Sequence, residues 1–190
     1  MGWTFGGGTR LALLHGHRVS YDVDVFLDDP QAVAFLSPRV NDDAAAAATE
    51  GYSEGAAHLK LVTREGEVDF VVAPRLTEPG WTAERIAGRD LRAETAAEVL
   101  AKKMLYRGAD FTHRDAYDLA ALLRADPAAV RTASEAAGPL ALRRLAHRLG
   151  LLLPGLAAEL PDYVNPAPGW EGFAAEVPAL IEGWLASGPV

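Results

Sequence analysis

The segment FGGGTRLALLHGHRVSYDVDVFL (Phe5–Leu27) joins three consecutive glycines to a short apolar stretch and then to two aspartates one residue apart. The mostly apolar residues 9–16 predict a short helix that begins at the glycines. YDVDVFL (Tyr21–Leu27) alternates polar and apolar residues and contains β-branched valines, which predicts a strand. Because side chains alternate across a strand, Asp22 and Asp24 are expected to project from one face, while Val23 and Val25 point into the core.

The remainder of the first half predicts further strands around one or two helices. Pro30 opens a helix that runs through Phe35, and VNDDAAAAATEGYSEG (Val40–Gly55) predicts a helix with a mobile end. AHLKLVTREGEVDFVVAP (Ala57–Pro74) predicts two strands joined by a tight turn at Glu65-Gly66. RDLRAE (Arg89–Glu94) predicts one more short strand.

From Thr95 onward the pattern is helical. TAAE (Thr95–Glu98) and THRD (Thr112–Asp115) both place a hydroxyl at the N-cap and a carboxylate three residues later, which is the form of a capping box. Further helices, separated by Gly and Pro, are predicted over Pro127–Ala137, Leu140–Leu152 and Trp170–Leu185. The sequence therefore predicts an α+β (α/β-like) fold, with a small mixed-sheet core in residues 1–94 and a helical C-terminal part in residues 95–190.

Composition excludes several functional classes. The chain has 190 residues, a formal net charge of −8 and no cysteine, so disulfides and thiolate metal sites are excluded. The negative charge argues against a protein that wraps nucleic acid with a broadly basic surface, although a local basic patch stays compatible with it. No signal peptide is recognised, and the longest apolar run, around Leu149–Leu156, is short and interrupted by Pro154. We therefore expect a cytoplasmic protein with no membrane segment.

The aspartates are the first candidate for chemistry. Two carboxylates side by side on a strand repel each other unless a cation neutralises them, and Mg²⁺ favours one or two carboxylates together with phosphate oxygens. If the hairpin strand lies beside the first strand, Asp69 joins Asp22 and Asp24, and three carboxylates can hold two metal ions. The plainer alternative is a solvated strand face and an ordinary edge-strand acid.

The glycines are the second candidate. A glycine-rich turn at the start of a helix exposes backbone N–H groups and the positive end of the helix dipole, which together attract phosphate. Gly6, Gly7 and Gly8 would let a triphosphate approach the backbone, and Thr9 would add a hydroxyl. Taken alone, the glycines favour the plainer alternative of a flexible N-terminal tail.

Together these features resemble a known family. GGGTRLALLHGHRVSYDVDVF (Gly6–Phe26) is similar to the opening of the AbiEii/AbiGii-type nucleotidyltransferase toxins, within the polymerase-beta-like nucleotidyltransferase superfamily. The shared pattern is Gly-Gly-Thr, an apolar helix, Gly-His-Arg, Ser and then Asp-x-Asp-x-Phe. AEVLAKKMLYRGADFTHRDAYDLAALL (Ala97–Leu123) resembles the later Lys, Arg and Arg-Asp-x-x-Asp-Leu block of that family. The resemblance covers about residues 6–123.

The resemblance implies a role for each matching position. Gly7, Gly8 and Thr9 would cradle a nucleoside triphosphate, and Asp22 and Asp24 would hold Mg²⁺ (or Mn²⁺). Asp69 would be the third acid and metal ligand. Lys103, in preference to Lys102, would meet phosphate charge, and Asp115 would be a late catalytic acid, with Asp118 the more structural of the two.

Spacing adds further candidates for phosphate contact. Lys103 and Arg107 are four residues apart and share one helix face. Arg18, just before the strand, is placed to orient the acids or the phosphates, and a polar turn is the alternative reading. Asp115 falls in the first turn of its helix, where a carboxylate is also favoured by the dipole alone.

One predicted helix and the family resemblance both bear on which molecule accepts the nucleotide. LRRLAHRLG places Arg144 and Arg148 one turn apart, where they would contact an RNA backbone, with a solvated face as the alternative. The resemblance implies transfer to tRNA and an antitoxin partner. Members of the family carry a helical segment before the glycines, whereas five residues precede Gly6 here. A non-catalytic relative that binds nucleotide, RNA or a protein is therefore the alternative, as is an enzyme with a small-molecule or protein acceptor.

Overall fold

The computed structural model of the protein describes residues 2–189 and divides them into two compact units. The sheet unit comprises residues 2–10, 20–75 and 81–95, and the helical unit comprises residues 11–19, 76–80 and 96–189. The strands are β1 Trp3–Gly6, β2 Val23–Leu27, β3 Gly51–Glu54, β4 His58–Val62, β5 Glu67–Val72, β6 Trp81–Ile86 and β7 Arg89–Glu94. The helices are α1 Gly7–His15, α2 Gln31–Leu36, α3 Asp42–Ala47, α4 Ala96–Arg107, α5 His113–Ala125, α6 Pro127–Leu152, α7 Leu156–Tyr163 and α8 Val177–Ala186.

All seven strands join one mixed sheet in the order β3-β4-β5-β2-β1-β7-β6. The pairs β2–β5 and β1–β7 are parallel, and the others are antiparallel. One face packs on α2 and α3 through a small core of Leu27, Ala32, Val33, Ala44, Leu59 and Leu61, against which Val25, Val68 and Phe70 also lie. By alternation, the polar residues between these apolar positions of β2, β4 and β5 face the opposite side of the sheet. The expected α+β fold with a mixed sheet is confirmed.

The hairpin of β4 and β5 is confirmed, but its turn lies one residue earlier than expected. Thr63 and Gly66 are bonded across the turn (2.9 Å between the Thr63 nitrogen and the Gly66 oxygen), so Arg64 and Glu65 form its tip. The Thr63 hydroxyl donates to the Gly66 carbonyl and accepts from the Glu65 N–H, which fixes this geometry. Moving the turn by one residue changes every cross-strand partner by two positions.

Three other strands of the sheet differ from expectation. Gly51–Glu54 is a strand and not a continuation of the alanine-rich helix, because its backbone pairs with β4. Strands β1 and β6 were not predicted from the sequence. Between β6 and β7 the turn residues Ala87 and Gly88 both have positive φ (49° and 79°), as a two-residue hairpin turn requires.

The helical unit is built around a large apolar core to which helices α4 to α8 contribute. The capping box at Thr112–Asp115 is confirmed, with both reciprocal bonds formed. The two predicted helices on either side of Pro139 are the halves of α6, which breaks at Gly138 (φ 79°). Helix α7 was not predicted, and α8 starts later than Trp170. Over the range 2–189, no helix is both long and apolar enough to cross a bilayer.

Candidate functional site

A single row of residues crosses four neighbouring strands of the sheet unit. Lys60 on β4 pairs in register with Asp69 on β5, Asp69 pairs with Asp24 on β2, and Asp24 pairs with Gly6 on β1. Residues paired in register project from the same face. The row therefore consists of one ammonium, two adjacent carboxylates and the glycine that ends β1. The structure brings together Asp24 and Asp69, as the sequence predicted.

The segment before β2 is tied to the start of α1. The Thr9 hydroxyl donates to the backbone carbonyl of Asp22, and its oxygen lies 2.8 Å from the Ser20 hydroxyl oxygen. Asp22 is thus held one residue before β2, half-buried and close enough to Asp69 for the two charges to interact. In this arrangement Thr9 positions the acid segment, and its contact with a phosphate stays a prediction.

The glycines allow a carboxylate to lie against the backbone. Gly7 has a φ of +69°, and a Cβ added there would overlap the Asp24 carboxylate. A Cβ added at Gly6 would overlap the Glu94 carboxylate and the Phe26 ring. An acidic side chain beside the first turn of a helix is favoured by the dipole. The glycines are therefore an ordered part of the fold and not a flexible tail.

Asp69 lies among charges of both signs, and the pKa of its carboxyl group is shifted by them and by burial. Burial raises the pKa of the Asp69 carboxyl, and the neighbouring Glu67 and Asp22 carboxylates add to this rise. The Lys60 ammonium opposes it: its Nζ lies 3.5 Å from Asp69 Oδ2 and also contacts the Glu67 carboxylate. Four acidic side chains thus lie on or beside the row, and Lys60 is the cation that contacts two of them.

The donor chemistry of the row fits a divalent ion. Asp24 and Asp69 provide adjacent carboxylates, which is the number that Mg²⁺ usually takes from a protein when phosphate oxygens complete its shell. No set of three or more His, Asp or Glu side chains within residues 2–189 converges closely enough to hold a metal ion. A three-acid, two-metal arrangement of Asp22, Asp24 and Asp69 therefore stays a prediction.

The helical unit contains a second cluster of charged side chains, which is buried. Lys103 Nζ lies 2.6 Å from Asp115 Oδ1 and 3.0 Å from Asp118 Oδ2. Arg18 binds the same Asp118 with two bonds of 2.6 and 3.1 Å, and His17 Nε2 lies 2.8 Å from Asp118 Oδ1. Each of these five residues is less than a tenth exposed. Cations and carboxylates here neutralise one another.

The pKa shifts in this cluster follow from that pairing. Burial alone would raise the pKa of Asp118, but Lys103, His17 and Arg18 outweigh it and hold the pKa well below its usual range. The pKa of Asp115 is also lowered, because Lys103 and Arg107 together outweigh its burial. Burial raises the pKa of the neighbouring Tyr117 to about 12, and the Asp118 charge contributes.

The remaining predicted cations of the helical unit differ in exposure. Lys102 is buried, with its Nζ 3.3 Å from Glu98 Oε1, and Glu98 also accepts from the backbone N–H of Leu76 and Thr77. Arg107 Nη2 lies 3.2 Å from Asp115 Oδ2, yet half of the Arg107 side chain is exposed. Arg107 therefore has more surface available to a ligand than Lys102.

The arginine helix is the C-terminal half of α6. Arg144 is exposed, as are Arg143 and His147, whereas Arg148 is partly buried and its Nε donates to the Phe111 carbonyl at 3.0 Å. Arg148 thus has a role within the fold. Contact of Arg144 and Arg148 with RNA stays a prediction.

Comparison with known proteins assigns the family. Residues 1–183 match the family described as the nucleotidyl transferase AbiEii toxin of type IV toxin–antitoxin systems. The chain belongs to this family. No curated protein matches the chain.

Solved structures similar to this AbiEii-family chain share little sequence with it. MenT4, a nucleotidyltransferase toxin from Mycobacterium tuberculosis, is 18% identical with a TM-score of 0.45 over 80% of this chain. The chain spans 57% of MenT4, just over half of its length. A presumed nucleotidyltransferase from H. pylori is 14% identical with a TM-score of 0.49, covering 97% of this chain and 87% of that one. An antigenic nucleotidyltransferase-like protein from Paracoccidioides brasiliensis is 17% identical with a TM-score of 0.37, covering 86% of each chain. The family assignment therefore rests on the sequence match.

Lys60 is the site residue that the sequence of this AbiEii-family chain did not reveal. With a turn at Glu65-Gly66, the partner of Lys60 would have been Val71, whereas the observed register pairs Lys60 with Asp69. The signal that would have found it is Thr63, whose hydroxyl supports a turn over the next two residues.

Proposed function

We propose that this AbiEii-family protein is a Mg²⁺-dependent nucleotidyltransferase that transfers a nucleoside monophosphate from an NTP to an acceptor hydroxyl. The observation that carries the proposal is the pairing of Asp24 with Asp69 in register, directly beside the glycines that begin α1. A carboxylate pair next to a helix start combines the ligands of a divalent ion with backbone donors for phosphate.

The chemistry is divided among the residues of the sheet unit. Asp22, Asp24 and Asp69 are proposed as the metal ligands, and the N–H groups of Gly7 and Gly8 as phosphate donors. Thr9 keeps the aspartate segment against α1 by its bond to the Asp22 carbonyl. When bound, the divalent ion would neutralise phosphate oxygens and stabilise the charge that develops as pyrophosphate leaves.

The helical unit supplies further proposed residues. We assign catalytic roles to Lys103 and Asp115, and phosphate-binding roles to Arg107, Lys102 and Arg18. Arg107 is the best suited of these, because half of its side chain is exposed. The other cations are buried in ion pairs, so a phosphate would have to take the place of a carboxylate to reach them.

The direct test is label transfer. Purified protein is incubated with Mg²⁺, each α-labelled NTP in turn and total tRNA, beside the Asp22→Ala/Asp24→Ala variant. The matched control is Asp42→Ala/Asp43→Ala, which removes two exposed carboxylates from the first turn of α3. We expect transfer by the wild type and the control, and none by the Asp22/Asp24 variant. Equal transfer by all three proteins would refute the proposal.

The acceptor that we propose is tRNA. We also propose an antitoxin as the regulatory partner, which the type IV toxin–antitoxin description of the family supports. Because NTPs and tRNA are cytoplasmic, the proposal also locates the protein in the cytoplasm. Arg144→Glu is expected to lower transfer to tRNA, because Arg144 is exposed and its charge would meet the RNA backbone. NTP binding should be unchanged, because Arg144 is not among the proposed metal or phosphate ligands. Unchanged tRNA transfer would favour a small-molecule or protein acceptor, and NTP binding without any product would favour a non-catalytic relative.

A further inference from the structure

Lys60 occupies the position beside Asp69 that lies away from Asp24. Because Asp69 is on the strand between those of Lys60 and Asp24, its carboxylate has an ammonium on one side and a second carboxylate on the other. A cation that binds between the two aspartates would share Asp69 with Lys60. The Lys60 ammonium would therefore compete with a bound cation for the Asp69 carboxylate.

The contacts of Lys60 are of the kind that exchanges easily. About a third of its side chain is exposed, and its Nζ is 3.5 Å from Asp69 Oδ2 while it also contacts Glu67. Ion pairs that are open to solvent contribute about 1 kcal/mol or less. Lysine is also a flexible point charge without the fixed fork of arginine, so its ammonium can leave one carboxylate while it keeps another.

We propose that the Lys60 ammonium is the resident counter-cation of the Asp69 carboxylate, and that a divalent ion must displace it before Asp69 can serve as a ligand. The inference rests on the proposed metal-dependent function. Lys60 is then a positioning residue: its contact with Oδ2 holds the Asp69 carboxylate in place before the metal binds. It also weakens metal binding, because two cations compete for the same carboxylate. Glu67 retains the ammonium when Asp69 is given up.

The test is a Mn²⁺ titration of the full chain without nucleotide, with free Mn²⁺ measured by electron paramagnetic resonance. Lys60→Met removes the charge and is expected to bind Mn²⁺ more tightly by on the order of tenfold, from the loss of a like charge beside the site. Lys60→Arg keeps the charge and is expected to match the wild type. Arg64→Met is the matched control, because Arg64 is exposed at the hairpin tip, paired with Glu50, and has the same charge.

The variants distinguish a failure of the role of Lys60 from a failure of the proposed function. Mn²⁺ binding that Asp24→Asn abolishes, with Lys60→Met no tighter than Arg64→Met, would overturn the role of Lys60 and leave the proposed function standing. No Mn²⁺ binding by the wild type would overturn both. Circular dichroism checks the fold, and Lys60→Gln is the second uncharged variant. Loss of the fold in both uncharged variants would also contradict the inference, since Lys60 would then be a structural residue and not a displaceable one.

Discussion

The two carboxylate clusters of the molecule differ in how their charge is neutralised. In the helical unit, Asp115 and Asp118 are buried against Lys103, and Asp118 also accepts bonds from Arg18 and His17. In the sheet unit, Asp24 and Asp69 lie side by side and half-buried, and the cation that contacts Asp69 is one partly exposed lysine. A buried cluster whose charges pair within it stabilises the fold, whereas a partly exposed carboxylate pair beside a flexible lysine leaves room for a cation from solution.

This difference can be tested because the two kinds of site respond oppositely to mutation. Removing one partner of a buried ion pair leaves an uncompensated charge and is strongly destabilising. Removing one of two neighbouring carboxylates relieves repulsion, so functional acids can be replaced with little or no loss of stability. Variants in the buried cluster of the helical unit are therefore expected to change stability. Variants of Asp24 and Asp69 in the sheet unit are expected to change ligand binding.

The largest effect on stability is expected for Asp118→Asn. The amide leaves Arg18 and Lys103 buried without their shared counter-charge, which should lower the free energy of unfolding by about 3–5 kcal/mol. The melting temperature should fall by roughly 10 °C. Urea denaturation and thermal melting measure both quantities. Asp110→Asn, at an exposed position, is the control and should stay within about 0.5 kcal/mol of the wild type. A loss below 1 kcal/mol for Asp118→Asn would show that the cluster is not structural.

Acid should weaken the same cluster. The pKa values of Asp115 and Asp118 are lower in the folded protein than in the unfolded chain, where Asp titrates near about 3.9. Their contribution is complete above that pH, and it declines below it because only the unfolded chain takes up protons. Each carboxyl then lowers the free energy of unfolding by up to about 1.4 kcal/mol for every pH unit of acidification. Denaturation between pH 6 and 2 should show a shallower acid slope for Asp118→Asn than for the wild type; equal slopes would contradict the account.

A smaller effect is expected for Gly7→Ala in the sheet unit. Alanine at a positive φ costs roughly 1–2 kcal/mol, and the new Cβ would also displace the Asp24 carboxylate. Gly16→Ala separates the two causes, because Gly16 has a φ of +59° and open space where its Cβ would be. We expect Gly7→Ala to be less stable than Gly16→Ala and to bind Mn²⁺ more weakly. Equal behaviour of the two variants would show that the approach of Asp24 to Gly7 has no consequence.

Local pattern was sufficient to predict the acid pair but not its surroundings. The alternation in YDVDVFL predicts Asp22 and Asp24 on one face without reference to the neighbouring strands, although β2 begins at Val23 and Asp22 precedes it. The partner of Asp69 depends on register, and an error of one residue in the turn concealed Lys60. The register depends on which turn the side chain of Thr63 stabilises. The Glu65-Gly66 pair alone favours a different turn.

The ion pairs of the helical cluster could not be predicted from the sequence for a different reason. The spacing of Lys103 and Arg107 shows that they share a helix face, and it suggested phosphate contact for both. The partners of Lys103 are Asp115 and Asp118, and those of Asp118 include Arg18, 100 residues away in the chain. Such pairs are set by how the helices and the 17–18 segment pack, which periodicity within one helix does not specify.

We propose that Asp24 and Asp69 of the sheet unit serve a metal, whereas Asp118 of the helical unit serves the fold. The most direct test of this proposal is the melting temperature of Asp24→Asn, measured with and without Mn²⁺, beside the wild type. Metal that binds only the folded state raises the melting temperature. We expect a rise for the wild type, no rise for Asp24→Asn, and a metal-free melting temperature for Asp24→Asn that falls less than that of Asp118→Asn. An unchanged Mn²⁺ response in Asp24→Asn, or a metal-free loss as large as that of Asp118→Asn, would contradict it.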